Sequence, residues 1–196
     1  MVAPSDDQPL NRRAFFSRGL ARAVERAASA IGAAVAPPRY ERPPGALPEA
    51  AFVAACTRCG ACESACPVQA IVPLPTGAGL AAGTPALDVA TTACLMCADM
   101  PCAAACPTEA LSVPETGWRG VHLARITVDA DRCIAFRDVA CGVCARVCPV
   151  GDDAIVLDAR GRPVLQPGCT GCGQCIAACV TSPSSLAAAP PTRSEP

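Results

Sequence analysis

The sequence predicts an α+β chain of tandem repeated units, built from short strands and short helices and preceded by an N-terminal amphipathic helix. Three observations carry that expectation. Sixteen cysteines fall into four groups of four, with none left over. Short apolar stretches bounded by Pro and Gly separate the groups and read as short strands. Aromatic residues make up only 3% of the 196 residues, so rings cannot supply much of a core and something else must hold the chain together.

The rest of the composition narrows the class. Gly and Pro number 15 and 21, as suits a chain of short loops more than one of long helices. The apolar fraction is mostly Ala, Val and Cys, and no stretch is long enough to span a membrane. A formal charge of −1 and a pI near 5.8 argue against nucleic acid as a partner. All sixteen basic residues are Arg. Residues 1–45 carry seven of them against four acids, and residues 46–196 carry nine against thirteen, which marks the first 45 residues as a separate region.

The repeats come before any secondary structure. The first group is Cys56, Cys59, Cys62 and Cys66; the second is Cys94, Cys97, Cys102 and Cys106. The third is Cys133, Cys141, Cys144 and Cys148; the fourth is Cys169, Cys172, Cys175 and Cys179. The run C-x2-C-x2-C-x3-C-P is that of bacterial ferredoxins, in which the fourth cysteine ligates the other cluster of a pair. CTRCGACESACP matches it completely.

Three thiolates two residues apart wrap one cubane in a tight loop, and the fourth is expected to open a short helix aimed at the neighbouring cluster. Small residues inside the loops, such as Gly60, Ala61, Gly171 and Gly173, let backbone N–H groups approach sulfur. All sixteen cysteines are therefore expected to be iron ligands of four 4Fe-4S clusters, in bacterial-ferredoxin-like dicluster units. Four oxidised cubanes would add about −8 to the charge.

The groups depart from the run in three places. Four residues separate Cys97 from Cys102 and seven separate Cys133 from Cys141, read as lengthened outer loops. Val180 stands where the other groups have Pro67, Pro107 and Pro149. Two pairings of the groups remain open: sequential, first with second and third with fourth, or nested, first with fourth and second with third.

Strands are expected at 70–72, 110–113 and 126–128, with a hairpin of 154–157 and 164–165 delivering Cys169. The linker 67–93 reads as an exposed loop and the chain from about Ser182 as a disordered tail. The expected organisation is thus a leader at 1–45, groups one and two at 46–118, groups three and four at 119–182, and a tail at 183–196. His122, Trp118 and Tyr40 read as packing or surface residues. Zinc is disfavoured because its sites join separated cysteine pairs, often with His, and one His is present. No nucleophilic triad or phosphate-binding loop is found, so the chain reads as a carrier and not as an enzyme.

Asn11-Arg12-Arg13-Ala14-Phe15-Phe16 resembles a twin-arginine export motif. Arg18, Arg22, Glu25 and Arg26, however, interrupt what should be an uncharged stretch, while Leu20, Val24, Ala27, Ile31 and Val35 recur at helical spacing. An amphipathic helix on a cytoplasmic protein is the expectation, with periplasmic export the alternative.

The order and spacing of the groups over residues 40–182 resemble the ferredoxin-type proteins of the NapF, NapG and MauM kind. RPPGALPEAAFVAACTRCGAC is similar to the NapF lead-in; Gly83-Thr84-Pro85, CLMCADMPCAAACPTEAL and the long Cys133 to Cys141 loop are more similar to NapG and MauM. The resemblance implies that the sixteen cysteines are cluster ligands. It also implies an accessory redox subunit passing electrons between a quinol-side membrane component and a reductase or dehydrogenase catalytic subunit. A maturation factor for a cofactor-containing oxidoreductase is the alternative.

Overall fold

In each group the chain turns tightly through residues in the left-handed region and then forms a helix of only four or five residues. In the first group Arg58 (φ 60°) and Gly60 (φ 73°) make the turns on either side of Cys59, and α2 follows at Ala61–Ala65. Lead-in helix α1 (Glu49–Ala55) precedes it, and α3 (Pro101–Ala104), α4 (Val143–Arg146) and α5 (Gln174–Ala177) are the counterparts of α2 in the later groups. Helices this short cannot sustain themselves in water. Their positions must come from packing and from whatever the cysteines hold. The fourth cysteine does not open a helix, as the sequence led us to expect: Cys66 caps the end of α2 in extended conformation (φ −77°, ψ 115°).

The computed structural model describes residues 40–191. The expected amphipathic helix and the Arg12-Arg13 motif lie outside the described residues. Residues 40–45, which the sequence assigns to the leader, instead pack into the fold. Arg42 makes two hydrogen bonds to Glu49 at 2.6 and 2.9 Å, reaches Thr84 Oγ1 and the Pro85 carbonyl, and lays its guanidinium 4.7 Å from the centre of the Phe52 ring. Both side chains of this ion pair are about nine-tenths buried. The planar fork of an arginine suits such a site, because all three of its nitrogens donate to acceptors there.

Among the described residues, three two-stranded antiparallel ladders complete the fold. Strand β1 (Ile71–Pro73) pairs with β2 (Pro85–Leu87), β4 (Ile155–Leu157) with β5 (Pro163–Leu165), and β3 (Arg125–Val128) with β6 (Leu186–Ala189). The expected strands at 70–72 and 126–128 and the expected hairpin are present, shifted by a residue at some ends. At 110–113 only an isolated bridge forms, between Ala46 and Leu111.

Two expectations are corrected. Linker 67–93 is not an exposed loop. It holds β1, two short 3-10 turns within Thr76–Ala81 that are broken by a kink at Gly79, and β2, and it buries Ala81, Thr84, Ala86, Leu87 and Val89. Its Pro and Gly residues shape a folded excursion that Arg58 ties down by donating to the Leu80 and Ala82 carbonyls. The chain beyond Ser182 is not a disordered tail up to residue 191 either, because β6 closes on β3 across some sixty residues of sequence, Arg125 opposite Ala189 and Val128 opposite Leu186.

The insertions also do more than lengthen outer loops. Met100, in the expanded stretch before Cys102, is 1% exposed, and Ala135, in the 3-10 turn Ile134–Arg137 between Cys133 and Cys141, is buried. The inserted residues fill volume that rings would fill in a conventional core. Phe52, Met100, Val89 and Leu123 are the large side chains at the centre of one continuous cluster, and cysteines from all four groups pack against it.

Candidate cluster-binding sites

Three small cavities are each walled by four cysteines. Cys56, Cys59, Cys62 and Cys106 line the first. Cys66, Cys94, Cys97 and Cys102 line the second. Cys148, Cys169, Cys172 and Cys175 line the third. Every set takes three cysteines from one group and the fourth cysteine of another.

Four cysteines remain. Cys133, Cys141 and Cys144 lie close enough for their charges to interact. Cys179 follows α5, and α5 packs on α4 as α3 packs on α2. It thus stands to the third group as Cys106 stands to the first. The structure brings the groups together sequentially, first with second and third with fourth, with their fourth cysteines exchanged. The nested alternative does not occur.

The donor sets fit iron–sulfur cubanes. At the second and third cavities the lining is apolar apart from the cysteines and Thr170, with no His, Asp or Glu. Among the described residues no three His, Cys, Asp or Glu side chains are arranged to hold a single ion. Four thiols surrounding a space suit a bulky cluster, whereas a structural zinc needs its ligands to converge about 2.3 Å from one point. Backbone N–H groups already point at sulfur: Ala70 to Cys66 at 3.3 Å, Met96 to Cys94 and Leu111 to Cys106 at 3.5 Å.

Burial raises the Cys62, Cys94 and Cys102 thiols to about 11, and burial together with neighbouring cysteines raises Cys175 to about 12. Such groups must give up protons when metal binds, so loading releases acid. Cys179 is the opposite case. Burial pushes it up, but the hydroxyl and N–H groups of Ser185 and Thr181 together outweigh burial and bring it down to about 6. Cys106 is also lowered, because hydrogen bonds from Leu111 and Thr108 outweigh its burial.

The two pairs of groups meet where the second touches the fourth. Cys94 N–H donates to the Cys172 carbonyl at 2.8 Å, and Gln174 Nε2 donates to the Cys94 carbonyl at 3.1 Å. The Thr170 hydroxyl donates to Met96 Sδ at 3.2 Å. Gly173, at φ 82°, lies so close that a Cβ would stand 2.3 Å from the Val89 carbonyl oxygen. The four sets therefore form a contiguous series. The Cys56 and Cys133 sets are outer, and the Cys66 and Cys148 sets are inner and adjacent.

Comparison with known proteins agrees with this arrangement. Two families, each described as 4Fe-4S dicluster domain, match at residues 55–110 and 125–180, each match spanning one sequential pair of groups. The chain is 40% identical over 159 residues to the methylamine utilization ferredoxin-type protein MauM of Methylorubrum extorquens, covering 76% of this chain and 72% of that one. The chain belongs to the MauM and NapG ferredoxin-type proteins. Identity to the ferredoxin-type protein NapG of Escherichia coli is 40% over 152 residues, 71% of this chain and 65% of that one. A polyferredoxin-like subunit of aliphatic sulfonate oxidoreductase from Pyrococcus furiosus is 32% identical over 128 residues, 63% of this chain and 66% of that one. No solved structure matches.

The chain's two dicluster domains and sixteen cysteines provide for four 4Fe-4S clusters, and its relatives are ferredoxin-type proteins. Several residues that support the sites carried no signal in the sequence. Arg58, Met96 and Met100 adopt left-handed turns that glycine would have announced, and Gln174 acts across eighty residues. Trp118 is more than packing, since its Nε1 donates to the Cys97 carbonyl at 3.0 Å. His122 is exposed, as expected of a surface residue, with Nδ1 3.0 Å from the Cys169 carbonyl oxygen. A wide cleft lined by Arg42, Arg119, His122 and Arg125 has Cys169 alone of the sixteen cysteines in its wall and is not a cluster site.

Proposed function

We propose that this chain carries electrons along four 4Fe-4S clusters held by the sets Cys56, Cys59, Cys62, Cys106; Cys66, Cys94, Cys97, Cys102; Cys148, Cys169, Cys172, Cys175; and Cys133, Cys141, Cys144, Cys179. Its place is that of an accessory redox subunit between a quinol-side membrane component and the catalytic subunit of a reductase or dehydrogenase. The observation that carries this reading is the direct contact of Cys94 with Cys172, which joins two dicluster units into one uninterrupted series. Bound clusters supply one-electron chemistry at potentials set by charge, hydrogen bonds and exposure. The chain's residues hold them, line the inner pair with apolar side chains and aim N–H groups at sulfur.

The subunit role draws support from the Pyrococcus relative, whose name places it in an oxidoreductase. Among the described residues no helix is long and apolar enough to cross a membrane.

Reconstituted protein is expected to hold about sixteen iron atoms and to show reducible 4Fe-4S signals. Exchange of the fourth cysteines gives a sharper expectation. The variant Cys56→Ala/Cys106→Ala should lose about four iron atoms, because both changes fall on one set, whereas Cys56→Ala/Cys66→Ala should lose about eight. Equal losses would overturn the assignment, and zinc without iron would overturn the function.

We further propose a cytoplasmic location. A fusion of residues 1–45 to a reporter active only after twin-arginine export should stay silent; an active reporter would move the protein to the periplasm.

A further inference from the structure

The fourth cysteines differ in a way that sorts with their place in the series. Two residues beyond each stands Val68, Thr108, Val150 or Thr181. The valines follow Cys66 and Cys148, which belong to the inner sets, and the threonines follow Cys106 and Cys179, which belong to the outer ones. Thr181 Oγ1 lies 3.2 Å from Cys179 Sγ, and Ser185 Oγ lies 3.3 Å from the same sulfur. Thr108 Oγ1 lies 3.7 Å from Cys106 Sγ. Among the described residues no hydroxyl contacts Cys66 or Cys148. Thr170 stands beside Cys172 at an inner site, but its one hydrogen is directed to Met96 Sδ and not to a ligand sulfur.

Ser185 is held firmly in this position. It is 2% exposed, its carbonyl accepts from Asp129 N–H at 2.8 Å, and it immediately precedes β6. The β3–β6 ladder therefore brings a hydroxyl to Cys179 that no spacing rule within the cysteine groups supplies.

A thiolate bound to iron has no proton to give, so the hydroxyl must be the donor. Hydrogen bonds to charged acceptors are stronger than neutral ones. Adding one electron to a cubane increases the negative charge shared by its sulfurs, and a fixed donor then stabilises the reduced form more than the oxidised form. More donors on sulfur mean a higher potential.

We propose that Thr181 and Ser185 act as tuning residues that make the Cys133, Cys141, Cys144, Cys179 site the highest in potential of the four, with Thr108 raising the other outer site to a smaller degree. This rests on the ligand sets proposed above. The series then ends on a low-energy electron site next to β3 and β6, which gives transfer along the chain a preferred resting end.

The test is potentiometric titration with a chemical reductant, followed by electron paramagnetic resonance, on fully loaded protein. In Thr181→Val/Ser185→Ala one of the four centres, the highest, should become harder to reduce by about tenfold in its equilibrium constant, or about 59 mV for a one-electron couple. Thr181→Ser in the Ser185→Ala background should retain the Thr181 share. The reciprocal change Val150→Thr should raise one of the inner centres. Four centres with unchanged potentials and full iron in the double variant would overturn the proposal while leaving the ligand sets intact. Cys179→Ala with four unaltered centres would instead overturn the ligand set. If the double variant loads iron incompletely, the Val150→Thr result decides, and an unmoved potential there overturns the proposal.

Discussion

Stripping the iron from this protein is expected to unfold it. The central cluster of the fold has one fully buried ring, Phe52, and is otherwise built of aliphatic side chains such as Met100, Leu123, Val89, Ile71 and Leu87. Cysteines from all four groups pack in or against it, and Cys62, Cys133, Cys144 and Cys172 are themselves buried. Without metal these thiols surround spaces that no side chain fills, and an unfilled cavity costs stability in proportion to its volume. The helices beside them have four or five residues and the ladders two strands, none of which is stable alone. A domain of this kind holds about 5–15 kcal/mol in total, while a structural metal site can supply about 10–16 kcal/mol.

Chelation under reducing conditions should therefore abolish the far-ultraviolet circular dichroism of the folded state and its cooperative thermal transition. Removing one ligand from a buried position, by Cys62→Ala or Cys144→Ala, should lower both the iron content and the midpoint of thermal unfolding. Iron-free protein that keeps a native-like spectrum and a cooperative transition would show that the polypeptide packs without its clusters.

The second large effect is expected at the junction between the dicluster units. Gly173→Val should part them. The position has φ 82°, which costs a side chain about 1–2 kcal/mol, and its Cβ would meet the Val89 carbonyl at 2.3 Å and the Val89 side chain at 2.9 Å. Overpacking of a rigid contact adds about 1–3 kcal/mol. Relief requires the loop from Cys172 to Cys175 to move away from the stretch that carries Val89 and Cys94, which breaks the Cys94 to Cys172 and Gln174 to Cys94 hydrogen bonds. The expected result is a protein that still binds most of its iron, because each cysteine set lies on one side of the junction, but that loses the magnetic interaction between its reduced inner centres. An unchanged interaction spectrum in a variant with full iron content would show that the junction does not set their spacing.

Gly171 faces a different neighbour. A Cβ there would stand 1.9 Å from the Ala124 carbonyl oxygen, which lies within the same pair of groups. Gly171→Ala should therefore disturb the local loop around Cys172 without parting the units. The contrast separates local damage from loss of the junction.

Much of the cofactor content could be read along the chain. Three thiols two residues apart, and a fourth a helical turn later, are a local pattern, and local spacing is preserved in any fold that the segment adopts. The same holds for the 154–157 and 164–165 hairpin, whose turn is formed within a few residues: Asp158 accepts from the N–H groups of Arg160 and Arg162. Linker 67–93 misled because Pro and Gly mark turns but do not say whether the turns face water or pack against Phe52 and its neighbours. The segment after Ser182 misled because its Ala and Ser residues form a strand only when β3 is present to pair with it.

Spacing along the chain points to the candidate donor atoms, their number and the three-plus-one grouping that iron–sulfur cubanes require, because those depend on covalent spacing of a few residues. It could not determine which fourth cysteine joins which group, which two sites touch, or which hydroxyls reach a ligand sulfur. Those were decided by contacts between residues far apart in the chain, among them Cys94 with Gln174 and β3 with β6. A pair distant in sequence is joined only when the packing between them places both partners at hydrogen-bonding distance, and that distance is a property of the folded chain.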